Sequence, residues 1–406
     1  MEVLKKLNFL TLLLCIYLAL TYPNSETAKD YYRSSSDFVG GFSDPAALAH
    51  DFQSSLISLA WSNYDDFNSR SAGQESLQYN FYHDTCPKAE KIVKEIIRQV
   101  YNVRPDLGPA LIRLLFHDCF IKGCDASILL DGTEGMESEK DTPPNETLKG
   151  FEVIDIIKEE VENVCPGTVS CADIIVLAAR EALLQAGGPY YPVTTGRRDS
   201  MISYAQLAMY QLPSPYGDLD DVLASFSARG FDERETVNLL GAHSIGIIHC
   251  KSFHSRLYNF SGTNKPDPSL DPGFLDTLRS RCGNISSHLL TAPSASPSPS
   301  PAPSPCRSSF KSPQSPIEEP GVAMDHKGTR REFGTSYFRS LLQGRGILYA
   351  DQQLMSREET RNWVRAYAWD AVLFRKDFSD AMMKLSNLNV LTAPDGQIRR
   401  NCSKVA

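Results

Sequence analysis

Apolar residues recur at intervals of three and four along most of the chain, which is the spacing of an amphipathic α-helix. Such runs cover residues 89–100, 154–164, 219–226 and 374–388. Residues 174–184 are apolar on nearly every side, which predicts a fully buried helix. Because no segment alternates apolar and polar residues over any length, the pattern predicts an all-α body built from many short helices.

Two segments at the N-terminal end do not follow this helical pattern. Residues 1–23 combine Lys5 and Lys6 with an apolar run from Phe9 to Leu20, which is typical of a secretory signal peptide. The alternative is an uncleaved membrane anchor, although the run is shorter than the roughly 20 residues that a spanning helix needs. Residues 24–76 show no sustained period and are interpreted as a flexible extension with at most one short helix, near 46–61.

The compact body is predicted to span residues 77–406, with one interruption. Eleven of the fifteen residues from Thr291 to Pro305 are proline or serine, a composition that neither forms a helix nor packs a core. Helical patterning resumes at Phe338. We therefore predict a loop at 289–320 inside one domain rather than a boundary between two domains.

Charge and cysteine content narrow the class of protein. The 406 residues carry a net charge of −8, so there is no basic excess to bind a nucleic-acid backbone. Of the ten cysteines, Cys15 lies in the predicted signal and Cys306 in the predicted loop. The other eight predict four disulfides in an exported protein, with pairings that spacing alone cannot decide. Possible glycosylation sequons begin at Asn145, Asn259, Asn284 and Asn401.

The first segment with candidate chemistry begins at Arg113. Arg113 and His117 are four residues apart, so on a helix they share one face, with Phe116 beside them. A guanidinium and an imidazole in one pocket suit a reaction in which a proton moves while negative charge develops. The alternative is a structural histidine whose hydrogen bonds are satisfied by its neighbours.

An acidic turn follows directly. Gly123 allows a sharp turn, around which two carboxylates and a hydroxyl cluster: Asp118, Asp125 and Ser127. Hard oxygen ligands of this kind, together with turn carbonyls, predict a cation site of calcium type. The alternative is an acidic turn exposed to solvent.

A second histidine lies near the end of another predicted helix. Asp232 and Glu235 match a capping box that begins this helix, and Gly241 and Gly246 end it. His243, between the two glycines, is either a core or capping residue or an axial metal ligand that presents one face to a cofactor. On this segment alone both interpretations stand.

Taken together, the motifs resemble those of the plant secretory (class III) haem peroxidases. The motifs that carry the resemblance are RLLFHDCF from Arg113, GCDAS from Gly123, VSCAD from Val169, GRRDS from Gly196, GAHSIG from Gly241, NLNVLT from Asn387 and IRRNC from Ile398. The resemblance extends from about Leu77 to the C-terminus, apart from the Pro/Ser-rich insert. It implies the haem peroxidase fold, in which haem b lies between a distal and a proximal set of helices.

The resemblance also implies a role for each residue around the haem. His243 would ligate the haem iron, and Asp351 would orient its ring and make the imidazole more basic. His117 would be the distal acid–base, and Arg113 would stabilise the developing negative charge. Asn145 would accept a hydrogen bond from His117, which excludes glycosylation of this asparagine.

Further residues match family positions. Phe116 would contact the cofactor, Pro213 would belong to the donor-binding site, and Asp173 with Arg197 would form a buried structural ion pair. The distal calcium would be held by Asp118, Ile121, Gly123, Asp125 and Ser127. The disulfides would pair Cys86 with Cys165, Cys119 with Cys124, Cys171 with Cys402, and Cys250 with Cys282.

The proximal calcium set departs from the family pattern. Ser244, Asp325 and Thr329 match it, but one extra residue separates Asp325 from Thr329, and Gly334 stands where the family has an aspartate. Loss of a carboxylate weakens a site for a hard cation. We therefore predict a weak or absent second calcium, with Glu332 as an alternative ligand.

The function implied is that of a secreted, monomeric peroxidase, extracellular or in the cell wall. It would reduce hydrogen peroxide while oxidising small phenolic donors in one-electron steps. The alternative is a catalytically impaired haem-binding or cell-wall-associated protein of the same fold. The Pro/Ser-rich insert is interpreted as a tolerated surface insertion; the alternatives are contact with a wall polymer or an intermolecular disulfide through Cys306.

Two other classes of enzyme are disfavoured. An intracellular peroxidase of the ascorbate type conflicts with the signal and the eight cysteines. Met324 also stands where such enzymes have tryptophan. A metallohydrolase is disfavoured because the sequence has no His-x-x-x-His or Cys-x-x-Cys ligand set.

Overall fold

Thirteen α-helices are the main regular structure in the described part of the chain, and the all-α prediction is confirmed. The structure, a computed structural model, describes residues 77–283, 321–324 and 333–406. The helices are α1 Ala89–Val103, α2 Leu107–Phe120, α3 Phe151–Val164, α4 Cys171–Gln185, α5 Ala205–Gln211, α6 Leu219–Ser227, α7 Glu233–Leu240, α8 His254–Tyr258, α9 Pro272–Cys282, α10 Ser336–Leu342, α11 Tyr349–Gln353, α12 Glu358–Trp369 and α13 Ala371–Ser386. The predicted signal, the extension 24–76 and the loop 289–320 with Cys306 lie outside the described residues.

The buried helix predicted at 174–184 is the central part of α4. Thirteen of its fifteen residues are buried, and it packs against α1, α2 and α3. The helix begins where the Ser170 side chain accepts a hydrogen bond from the backbone N–H of Asp173. A second group of helices packs α7 against α12 and α13, and α10 against α12. Among the described residues, no helix has both the length and the apolar character to cross a membrane.

A buried carboxylate joins α4 to two loops. Asp173 accepts hydrogen bonds from the hydroxyl of Tyr82 at 2.7 Å and from the backbone N–H of Gly196 at 2.7 Å. Its other oxygen pairs with Arg197 Nη1 at 2.8 Å, and neither side chain of this pair is exposed. Removal of one partner from such a pair costs about 3–5 kcal/mol because the other charge stays buried. Asp173 and Arg197 thus form the buried ion pair that the resemblance implies.

Four disulfides cross-link the helices. The bonded pairs are Cys86–Cys165, Cys119–Cys124, Cys171–Cys402 and Cys250–Cys282, the same four that the resemblance implies. The longest closes 231 residues and joins the start of α4 to the C-terminal segment. Cross-links that close such long loops reduce the entropy of the unfolded chain most.

One small β-ribbon departs from the purely helical pattern. Strand β1, Ile247–His249, pairs antiparallel with strand β2, Gly321–Ala323. Strands of three residues are too short to show alternation in the sequence, so this ribbon could not be predicted. The ribbon directly follows the turn that carries His243.

Helix packing fixes the position of that turn. Helix α7 begins with the predicted capping box and ends at Leu240, and a 3₁₀ turn, Gly241–Ser244, continues from it. A Cβ atom on Gly241 would lie 2.6 Å from Phe374 Cε2 and 2.9 Å from Phe338 Cζ. Only glycine fits between these two rings, so the start of the turn that carries His243 is tightly packed.

We predict that Gly241→Ala destabilises the protein by about 1–3 kcal/mol, the usual cost of overpacking a core. The expected result is a fall in Tm of about 2–4 °C per kcal/mol, measured by thermal unfolding. The matched control is Gly273→Ala in α9, where the nearest atom to an added Cβ is Asp271 Oδ1, 3.6 Å away. That variant should keep or raise Tm, and equal losses for both variants would contradict the packing argument.

Candidate active site

Helix α2 presents one open face. Ten of its fourteen residues are buried, whereas Arg113 is exposed and Phe116 is half-buried. Burial of the guanidinium nevertheless lowers the pKa of Arg113 to about 10. An exposed side chain with a pKa lowered by burial is expected when the accessible surface of Arg113 faces an enclosed cleft rather than open solution. This face of α2 therefore lines a cavity, and it carries His117 one turn from Arg113.

The hydrogen bonds of Asn145 determine which nitrogen of His117 carries the proton. The side-chain amide of Asn145 donates to the backbone carbonyl of Glu139 at 2.8 Å, so its oxygen faces His117 Nδ1, 2.6 Å away. An amide oxygen can only accept, and His117 Nδ1 must therefore donate. His117 Nε2 is left unprotonated and accepts from Arg113 Nε at 3.2 Å.

The surroundings of His117 strongly favour its neutral form. Burial and the charge of Arg113 lower its pKa to about 3, although the hydrogen bond with Asn145 acts in the opposite direction. At neutral pH the cavity thus holds a neutral imidazole beside a charged guanidinium. This pair can accept a proton at Nε2 and stabilise negative charge at the same place.

The loop that carries Asn145 also holds Arg113. Arg113 Nη1 donates to Thr147 Oγ1 at 2.9 Å, and Nη2 donates to the carbonyl of Pro144 at 3.1 Å. Thr147 and Pro144 could not be identified from the sequence, because only the tertiary fold brings their oxygens to Arg113. One loop therefore sets the positions of both distal side chains.

On the other side of the cavity, His243 contacts a buried carboxylate. Asp351, in α11, is 1% exposed, and its Oδ1 lies 2.9 Å from His243 Nδ1. Burial lowers the pKa of His243, but the charge of Asp351 and its hydrogen bond raise it, and the net direction is upward. The same oxygen accepts from the Tyr337 hydroxyl at 3.0 Å, a contact that could not be predicted from the sequence.

His243 and the carboxylate behind it have the chemistry of a ligand for haem iron. Because Nδ1 is held by Asp351, Nε2 is the nitrogen free to bind a metal, and 37% of the side chain is accessible. The charge of Arg113 lowers the pKa of both His117 and His243, so Arg113 lies within electrostatic range of both rings. An imidazole with a carboxylate behind it is the usual arrangement of a metal-binding histidine.

Next to His117 lies a group of buried acidic side chains, and not every carboxylate oxygen in it accepts a hydrogen bond. Asp118 and Asp125 are 0% and 3% exposed, and Asp118 Oδ1 has no hydrogen-bond partner among the described residues. Burial, and then the charges of Asp125 and Glu139, raise the pKa of Asp118 well above its usual range. Burial raises the pKa of Asp125 to about 6 and that of Glu139 to about 7.

Glu139 is a member of this cluster that sequence reasoning missed. Its side chain is fully buried and Oε1 accepts from the backbone N–H of Tyr204 at 2.9 Å, while its carbonyl accepts from Asn145. The described residues contain no group of three or more His, Cys, Asp or Glu side chains that could hold a metal ion. A cation here would depend on carbonyls and the Ser127 hydroxyl besides the two aspartates.

The proximal calcium set is only partly described. Ser244 is buried, and its hydroxyl accepts a hydrogen bond from the backbone N–H of Gly334 at 3.4 Å. Asp325, Thr329 and Glu332 lie outside the described residues. Gly334 thus contacts Ser244 through its backbone N–H and has no side-chain carboxylate that could bind a cation.

Pro213 lies in a groove at the surface. It lines a groove of about 630 Å³ together with Tyr210, Lys122 and Arg229. Arg113, His117 and His243 do not line this groove. A role of Pro213 in donor binding therefore stays a prediction.

Comparison with known proteins shows the family of the chain. A family model described as Peroxidase matches residues 93–370. The chain is 54% identical over 332 residues to "Putative Peroxidase 48" of Arabidopsis thaliana, covering 81% of this chain and 82% of the relative. It is 39% identical to Peroxidase 47 and to Peroxidase 39 of the same plant, over 81% and 82% of this chain and 89% and 93% of the relatives.

The chain therefore belongs to the plant secretory (class III) haem peroxidase family. Membership implies a haem cofactor and hydrogen peroxide as a substrate.

We predict that Asn145 carries no glycan although it heads a sequon. Asn145 is 2% exposed and both ends of its amide are hydrogen-bonded, whereas Asn259 and Asn401 are exposed. Peptide mass mapping after enzymatic deglycosylation of protein from a secreting plant-cell culture should find glycans at Asn259 or Asn401 only, among these three. A glycan at Asn145 would contradict the hydrogen-bonded arrangement of His117.

Proposed function

We propose that the protein is a secreted haem peroxidase that reduces hydrogen peroxide and oxidises small phenolic donors in one-electron steps. The observation that carries the proposal is the neutral His117 beside Arg113, whose charge also reaches His243. His243 would hold the haem through Nε2. The haem supplies the redox chemistry that cleaves the peroxide O–O bond.

The chain's own residues would handle the proton and the charge. His117 Nε2 accepts a proton from one oxygen of hydrogen peroxide and delivers it to the other oxygen, which leaves as water. Arg113, held by Thr147 and Pro144, stabilises the negative charge that builds up as the O–O bond breaks. The carboxylate of Asp351 keeps the His243 ring in one orientation and increases its basicity.

Secretion is supported by the signal-like segment 1–23 and by the four disulfides, which form in oxidising compartments. Phenolic donors are supported by the surface around Pro213, where the neighbouring Tyr210 and Tyr216 are 81% and 51% exposed. Aromatic side chains offer flat surfaces for stacking with small aromatic molecules.

Substitution of the proton acceptor tests the proposal. In haem-loaded protein, we expect His117→Leu to lower the second-order rate constant with hydrogen peroxide by about 100- to 10,000-fold, because the acid–base group is lost. Stopped-flow absorption measures this rate. The control is His83→Gln, whose side chain is 80% exposed and lies outside the site. It should react like the parent.

The second candidate is a haem-binding protein with impaired turnover. The observation that favours it is that Gly334, whose backbone N–H donates to Ser244 Oγ, has no side-chain carboxylate to offer a cation. A parent protein that binds haem through His243 but does not react with peroxide would support this candidate and overturn the peroxidase proposal. The intact pairs His117–Asn145 and His243–Asp351 favour the active enzyme.

We further propose that one calcium ion binds beside His117. The ligands would be Asp118, Ile121, Gly123, Asp125 and Ser127, with Glu139 completing the buried charge. The unpaired Asp118 Oδ1 supports this proposal because a cation would satisfy it. Since the Glu139 carbonyl holds the Asn145 amide, calcium would also steady the partner of His117.

Calcium removal should destabilise the protein more at pH 7.5 than at pH 5. The folded-state pKa values of Asp125 and Glu139, about 6 and about 7, exceed their unfolded values. Without calcium the folded state thus binds more protons between pH 4 and 7, and its stability falls as pH rises. Chelation should therefore lower Tm by several degrees more at the higher pH.

Differential scanning calorimetry with and without a chelator measures this difference. The pH-dependent contributions of His117 and His243 to stability are present with and without the chelator, so they cancel when the two Tm values at one pH are compared. An equal loss at both pH values would contradict the distal site. A stoichiometry of two calcium ions after exhaustive dialysis would contradict the prediction of a weak proximal site.

A further inference from the structure

Two donors share a single oxygen behind His243. Asp351 Oδ1 accepts from His243 Nδ1 at 2.9 Å and from the Tyr337 hydroxyl at 3.0 Å. Tyr337 is 4% exposed, and its ring meets the His243 ring edge to face, with centroids 6.2 Å apart and an interplanar angle of 80°. The tyrosine therefore contacts both members of the histidine–carboxylate pair.

Packing leaves Tyr337 little freedom to choose another partner. It lies in the first turn of α10, which packs against both α12 and the Gly241–Ser244 turn. Its ring also packs edge to face against Phe338 at 5.0 Å. The hydroxyl is thus held at the carboxylate by the same contacts that hold the histidine turn.

Hydrogen bonds to one acceptor oxygen compete for its negative charge. A donated phenol proton draws charge from Asp351 Oδ1 and weakens its attraction for the proton on His243 Nδ1. The strength of that attraction sets how much imidazolate character the ring has, and therefore how strongly Nε2 donates electrons to a bound metal. Tyr337 is in a position to moderate this effect.

We propose that Tyr337 is a positioning residue that limits, through Asp351, the electron donation of His243 to the haem iron. The inference rests on the proposed ligation of haem by His243. Loss of the hydroxyl would strengthen the His243–Asp351 hydrogen bond and favour the ferric over the ferrous state. A stronger phenol donor would have the opposite effect.

The experiment compares two tyrosine variants of the haem-loaded protein. Tyr337→Phe should shift the reduction potential to more negative values, raising the ferric-to-ferrous ratio at a fixed electrode potential roughly threefold or more. It should also raise the iron–histidine stretching frequency of the ferrous protein in resonance Raman spectra. Spectroelectrochemistry measures the potential.

Tyr367→Phe is the matched control. The Tyr367 hydroxyl also donates to a buried carboxylate, Asp377 Oδ2, at 2.8 Å, in a pair that does not include Asp351. Its loss should destabilise the fold to a similar extent without changing the potential or the stretching frequency. An equal shift in both variants would show a general effect of core damage and overturn the proposal.

A second variant keeps the hydroxyl and the shape of the core. Site-specific 3-fluorotyrosine at position 337 makes the phenol a stronger donor, so the potential should move in the positive direction, opposite to Tyr337→Phe. If Tyr337→Phe fails to fold, this variant decides the question alone. No shift at position 337 would overturn the proposal.

The parent protein separates this inference from the proposed function. An iron–histidine stretch and a fast reaction with peroxide in the parent, with no shift in either Tyr337 variant, would refute only the role of Tyr337. Absence of the iron–histidine stretch in the parent would refute haem ligation by His243, and with it both proposals.

Discussion

The site depends on two histidine rings that both feel the charge of Arg113 but have opposite electrostatic surroundings. His117 is buried beside Arg113 and hydrogen-bonded to a neutral amide, so it stays neutral and keeps Nε2 free to accept a proton. His243 faces the carboxylate of Asp351, which favours a basic, electron-donating ring. The two imidazole rings are chemically identical, so their different pKa values come from their partners, Asn145 for His117 and Asp351 for His243.

The rest of the fold keeps these partners in place. The loop from Glu139 to Thr147 connects the acidic cluster with both distal side chains, since the Glu139 carbonyl holds Asn145 and Thr147 holds Arg113. On the proximal side, α10 and α11 supply Tyr337 and Asp351 to the same histidine. Chemistry at one cavity is thus supported by contacts between segments that are distant in sequence.

Sequence patterns predicted what depends on local spacing. The buried helix at 174–184, the shared face of Arg113 and His117 and the capping box of α7 follow from helical periodicity. The roles of Asn145 and Asp351 came from the family resemblance, not from spacing.

Glu139, Thr147 and Tyr337 were missed because tertiary contacts alone bring them to the site. The ribbon β1–β2 was missed because three-residue strands have no visible period.

The central claim is that His117 is neutral throughout the working pH range. The most direct measurement is the pH dependence of the second-order rate constant for the reaction of the haem-loaded protein with hydrogen peroxide, which reports the ionisation of the free enzyme. With the pKa of His117 lowered to about 3, the rate constant should be level from about pH 5 to pH 8 and fall only near pH 4 and below. A rate constant that halves near pH 6.5, the ordinary pKa of histidine, would contradict the account.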